Sequence, residues 1–102
     1  MDQPVRLSGP TLKVLKLLLE KPREKRSGAD ISRSANVGSG TLYPLLARLE
    51  QAGWLRSEWE VVDPSEVGRP RRRFYKITGV GQTQARKALA ELQIAPGALA
   101  WT

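Results

Sequence analysis

The 102-residue chain contains neither cysteine nor histidine. These two absences remove disulfides, Cys/His metal sites and every nucleophile-histidine arrangement, leaving only carboxylates and hydroxyls for catalysis. No carboxylate pair, phosphate-binding glycine loop or ligand cluster stands out, so no enzymatic activity, cofactor or metal is expected. No apolar run approaches the ~20 residues of a membrane span, no basic stretch lies on a helix with a large exposed apolar face, and no N-terminal signal pattern is seen. The expectation is a cytoplasmic protein that does not engage membranes. Acidic residues are scarce as well: ten Asp and Glu stand against seventeen Lys and Arg. The resulting charge of +7 and pI near 10.4 form the electrostatic footprint of a polyanion binder. At this length residues 1–102 read as one domain, burying roughly two-thirds of its unfolded surface. Any effector site must share that core or lie between subunits.

Leucine periodicity supplies the helices. Thr11 to Glu20 reads as a first helix, capped by Thr11 and stopped by Pro22. Its polar residues Lys13, Lys16 and Glu20 gather in one narrow strip, and Leu12, Val14, Leu15, Leu17, Leu18 and Leu19 cover the rest. That surplus fits either a second subunit on one side or a fully central position. Ser27 can cap a short second helix through Ala35, with Asp30 in a capping-box-like place. After a turn at Asn36 to Gly38 or Gly40, Leu42, Leu45, Leu46 and Leu49 fall at i, i+3, i+4 and i+7, and Gly53 ends the third helix. Pro44 suits only a first turn, so Thr41 is the expected N-cap.

A hairpin follows. Leu55, Trp59 and Val61 alternate with Arg56, Glu58 and Glu60 in a strand from Trp54 to Val61, predicting a half-buried edge. The return strand, R-R-R-F-Y-K-I-T from Arg71 to Thr78, sets Tyr75 and Ile77 on one face and Phe74 and Lys76 on the other. Val62 to Pro70 is too long for a tight turn and predicts a protruding loop tipped by Gly68, Arg69 and Pro70. Thr78 caps a last helix through about Gln93, with a narrow stripe of Ala85, Ala88, Leu89 and Leu92. Ile94 to Thr102 carries no charge but holds Ile94, Leu99 and Trp101, which predicts docking on the body or a partner. Helix, hairpin and cationic tip in this order predict a mostly helical α+β fold, a winged helix-turn-helix with an additional C-terminal helix. Its core would span 11–78, a dimerisation helix 79–93 and an apolar tail 94–102.

The runs G-T-L-Y-P-L-L-A-R-L-E-Q-A-G-W-L (Gly40 to Leu55) and G-R-P-R-R-R-F-Y-K-I-T (Gly68 to Thr78), with Gly81 beyond them, resemble the PadR family of bacterial winged-helix regulators. The resemblance implies a dimeric DNA-binding repressor whose last helix helps to dimerise. Ala29 stands where family members carry an aromatic, and Gly79 where they usually carry an acidic residue.

Candidate DNA contacts follow from chemistry. Opposite its leucines the third helix offers a slim face suited to a major groove but poor in bidentate groups. Arg48 can reach a guanine or a phosphate, whereas Ser39, Thr41 and Tyr43 suit phosphates or single base edges near the helix start. Arg69, framed by Gly68 and Pro70, looks like the core of an AT-hook aimed at a narrow A·T minor groove. Arg71, Arg72 and Arg73 can meet phosphates, though alternation keeps Arg72 off the face of its neighbours. Lys25, Arg26 and Arg33 flank the second helix and can clamp the backbone beside it. Leu17, Ala85, Leu89 and Leu92 are the expected dimer contacts. The leading expectation is a homodimeric repressor on a pseudo-palindromic operator in double-stranded DNA. An architectural or mobile-element protein of A·T-rich DNA and a winged-helix protein-interaction module are the alternatives.

Overall fold

The computed structural model describes residues 5–94. Helix α1 (Gly9–Glu20) begins a turn earlier than expected, because Ser8 rather than Thr11 caps it, accepting from the Thr11 N–H at 3.4 Å. Pro10 sits in the first turn, where its missing N–H costs nothing. Thr11 is buried, with its hydroxyl 3.0 Å from that of Ser8. The apolar surplus of α1 is covered inside the chain: Val14, Leu15, Leu17 and Leu18 are buried, and α1 packs on three other helices and on the sheet. It is the central helix of the domain.

Two residues, Arg26–Ser27, form strand β1, after which Ser27 accepts from the Asp30 N–H at 3.1 Å and opens α2 (Gly28–Ala35) as expected. The reciprocal half of a capping box is missing, since the Asp30 carboxylate turns to Arg26 and Ser34. Asn36 ends α2 at φ 55, a left-handed value that asparagine tolerates, and Ser32 ties the turn by donating to the Val37 carbonyl at 2.7 Å. Helix α3 (Ser39–Gln51) buries Leu42, Leu45, Leu46 and Leu49 and ends at Gly53, φ 82. Its start departs from expectation: Gly38 is the N-cap, Thr41 lies in the first turn, and Pro44 is inside the helix. Pro44 then leaves the Gly40 carbonyl without a helical donor. Gly40 is exposed, so this carbonyl lies in a part of the first turn open to hydration.

Strands β2 (Leu55–Trp59) and β3 (Arg73–Ile77) pair antiparallel, with Leu55 opposite Ile77 and Trp59 opposite Arg73; β1 pairs with the other edge of β3, giving the order β1-β3-β2. The alternation of β3 holds, with Tyr75 and Ile77 buried and Lys76 exposed. That of β2 fails beyond Leu55: Trp59 is 57% and Val61 98% exposed, because the hairpin runs out past the helices that would cover them. The connection is not a plain loop. Asp63 accepts from the Ser65 N–H and hydroxyl, which lowers its pKa, and caps a single helical turn, α4 (Pro64–Val67), closed by Gly68 at φ 71.

Thr78 fastens the last helix, α5 (Gly79–Ile94), to the body. Its hydroxyl accepts from the Gly81 N–H at 2.9 Å and donates to the Gly53 carbonyl at 2.6 Å. Gly81 is required sterically, since a Cβ there would lie 2.1 Å from the Trp54 carbonyl oxygen. A small three-stranded sheet with a wing, laid on a mostly helical body, is the winged-helix fold. The tail beyond Ile94, with Leu99 and Trp101, lies outside the described residues.

Candidate nucleic-acid interface

The four leucines of α3 fix which side of that helix faces out. Ser39, Thr41, Tyr43, Ala47, Arg48 and Gln51 are all exposed, and no carboxylate is among them. Glu50, the acidic residue of α3, turns toward the sheet instead, where it accepts from the Ser57 hydroxyl and lies 3.8 Å from the Arg73 guanidinium. Tyr43 rests on Gly28, where a Cβ would come within 2.7 Å of the ring, so that glycine lets α2 and α3 approach closely. Arg48 has no ion-pair partner among the described residues.

Between α3 and the wing runs an open groove of about 750 Å³, walled by Tyr43 and Ala47 on one side and Trp59, Arg72 and Arg73 on the other. Arg73 is held on the wing by a hydrogen bond to Ser57 at 3.0 Å and by stacking 5.0 Å over the Trp59 ring. Arg72 is exposed, while its backbone is fixed by exchange with Glu60: its carbonyl accepts from the Glu60 N–H at 2.8 Å. Arg72 also borders a second hollow of about 450 Å³ with Arg33, Ser39 and Tyr43. Wing, α2 and the start of α3 thus bring two exposed guanidiniums and two hydroxyls around one concavity, a donor set of the kind that phosphate oxygens accept from.

The expectation for Arg69 is corrected. Its guanidinium does not project freely but forms a two-armed pair with Glu60, at 2.6 and 3.0 Å, and also donates to the Pro70 carbonyl, while one-third of the side chain stays exposed on the groove. The hydrogen bonds from Arg69, with help from the Arg72 N–H and against partial desolvation, hold the Glu60 pKa at about 2; the Arg69 pKa is raised in turn. Arg71 is likewise partly engaged, donating to the Val62 carbonyl at 3.0 Å, though it stays exposed. Two further expectations change. Arg26 does not clamp a backbone: its side chain is only 14% exposed and is paired with Asp30 at 2.9 Å. Lys25 lies on the outer face of the sheet, paired with Glu58 at 2.9 Å and 5.8 Å over Phe74. Of that trio Arg33 alone reaches the α3 surface.

Among the expected dimer contacts, Leu17 and Ala85 are buried in this chain's own core, and α1 packs against α5. Leu89 and Leu92 remain half-buried. Glu60 was not singled out in the sequence, although its place across the hairpin from a run of arginines was a signal for pairing. Among the described residues no Asp/Glu cluster suits a metal ion, and no helix is long and apolar enough to cross a membrane.

The profile of the transcriptional regulator PadR-like family matches residues 14–87. The transcriptional regulator Rv3488 of Mycobacterium tuberculosis is 51% identical over 59 residues, covering 55% of this chain and 50% of that protein. The chain therefore spans about half the length of this relative. Among solved structures, a transcriptional regulator homologue of Pyrococcus horikoshii OT3 superposes with a TM-score of 0.66 at 24% identity, over 81% of this chain and 75% of its own. AbfR of Staphylococcus epidermidis in its reduced form, bound to DNA, matches at 27% identity and TM-score 0.63, over 83% of this chain and 60% of its own.

Proposed function

Because the chain belongs to the PadR-like family of transcriptional regulators, we propose that it binds DNA sequence-specifically and represses transcription as a homodimer on a pseudo-palindromic operator. One observation carries this reading: the exposed face of α3 is free of carboxylates, and its first turn shares a hollow with the guanidiniums of Arg33 and Arg72. Helix α3 enters the major groove, Arg48 and Tyr43 meet base edges or phosphates, and Arg72 and Arg33 grip the backbone beside it. AbfR, a structural neighbour, is solved bound to DNA, which supports DNA as the partner. The half-buried Leu89 and Leu92 on α5 support a second copy packing along that helix.

Selection of bound fragments from random duplexes, followed by competition with bulk DNA, tests the proposal. A regulator prefers its site by several kcal/mol, an architectural protein by much less, and a protein-interaction module selects no site. The pairing of Arg69 with Glu60 weakens the argument for A·T minor-groove architecture.

A further inference from the structure

Alternation along β2 and β3 sends Ser57, Arg73 and Tyr75 toward the helices and Arg56, Glu58, Phe74 and Lys76 to the opposite face of the sheet. On that outer face Arg56 stands directly across from Lys76 in the antiparallel register. Two cations in this position lie roughly 5 Å apart at their Cα atoms and repel each other, an arrangement that destabilises a sheet. Arg23 and Lys25, from the segment between α1 and β1, line the same shallow hollow of about 350 Å³. Its one acidic residue, Glu58, is already taken by Lys25 at 2.9 Å. Arg23, Arg56 and Lys76 have no ion-pair partner among the described residues.

We propose that this outer sheet face is a second DNA-backbone contact, holding a duplex other than the one read by α3. It goes beyond the function proposed above and rests on it only in taking duplex DNA as the polyanion. A phosphodiester offers two non-bridging oxygens, so one phosphate bridges Arg56 and Lys76 and relieves their repulsion. An arginine fork matches that group better than a point charge does. An acidic protein fits the surface less well, because tight protein partners seat an apolar or aromatic anchor. Phe74 is the only aromatic side chain there, and Lys25 lies over its ring. A duplex seated on α3 does not reach this face, which lies across the sheet, and bending stiff DNA around so small a domain is costly. A second duplex meets it without bending.

The test uses the full chain and an Arg56→Ala/Lys76→Ala variant. An immobilised duplex selected by the protein is saturated with it, washed, and offered a labelled duplex of unrelated sequence. Wild type is expected to capture the second duplex, and the variant to capture about tenfold less, with the salt slope of capture smaller by about two contacts. Affinity for the first duplex stays the same, and the melting temperature of the variant without DNA is no lower, because a like-charge pair has gone. Equal capture by the variant, or no capture by wild type, overturns the proposal. So does equal retention of a polyglutamate peptide and the second duplex, which assigns the face to an acidic protein. Failure to bind the first duplex counts against the α3 reading instead, so the two outcomes separate.

Discussion

Arg69 and Glu60 close the base of the wing on itself: the guanidinium spans both carboxylate oxygens at 2.6 and 3.0 Å, and one of those oxygens also accepts from the Arg72 N–H at 3.3 Å. The pair holds the segment that presents Arg72, so under the proposed function it acts on DNA binding through position. Removing either partner should therefore have the same result. Arg69→Ala and Glu60→Gln are each expected to speed amide exchange across residues 60–72 and to weaken binding on A·T-rich and G·C-rich flanks alike, and the double variant to do no more than either. A loss confined to A·T flanks and to Arg69→Ala would restore the minor-groove role.

The same pair sets a pH response. The hydrogen bonds from Arg69 hold the folded-state pKa of Glu60 at about 2, below the ordinary glutamate value of 4.5, so the stabilisation it gives is fully present above about 4.5 and is lost as pH falls toward 2. Protection of the wing amides against exchange, measured relative to their intrinsic rates, should fall in wild type as pH drops across that window. In Glu60→Gln that protection should be low throughout and independent of pH.

Arg72→Ala is expected to weaken binding to all sequences similarly and to reduce the magnitude of the salt slope by about 0.9, one phosphate contact. Arg26→Ala should do the reverse, leaving the salt slope unchanged while lowering unfolding stability by roughly 0.5–3 kcal/mol, because it strips Asp30 of its partner. Titrations at several salt concentrations beside urea unfolding separate the two roles. A reduced slope for Arg26→Ala would return that residue to the interface.

Gly81→Ala drives a methyl group toward the Trp54 carbonyl, at a distance of 2.1 Å before any relaxation. Stability should fall by about 1–3 kcal/mol as α5 shifts off the end of α3. Gly79→Ala, with nothing within 4 Å of its Cβ position, is the control and should be nearly neutral in the same denaturation measurement.

For assembly, charged replacements at Leu89 and Leu92 should give folded monomers with a mass near 11.3 kDa and much weaker operator binding. Wild type in solution should have twice that mass, and its footprint should be two-fold symmetric, with half-sites about 34 to 36 Å apart. A wild-type monomer at micromolar concentration would sink the dimer.

Local rules made much of this chain legible. The spacing of Leu42, Leu45, Leu46 and Leu49 fixed both the existence of α3 and its buried side, because a helix brings i, i+3, i+4 and i+7 onto one face whatever surrounds it. Ser27 and Thr78 were readable as caps, and Gly53 as a helix end, because each satisfies backbone groups a few residues away. The order of helix, strand and basic strand then sufficed for the winged fold. Tertiary structure decided whatever depends on groups distant in sequence or on a balance between two local preferences. Ser8 displaced Thr11 as a cap because Pro10 suits the first turn, and Pro44 was admitted into α3 because the carbonyl it orphans faces water. Most of the apolar surplus of α1, which the sequence left open between a partner and a central position, went into the chain's own core, where α5 packs on α1 and Leu17 is buried. Above all, seventeen cations announce a polyanion but do not say which of them are free to meet it. That depends on which carboxylate folds opposite each one. Glu60 took Arg69, Asp30 took Arg26 and Glu58 took Lys25, and Arg33 and Arg72, separated in sequence by the whole of α3 and most of the hairpin, were left exposed beside the first turn of α3.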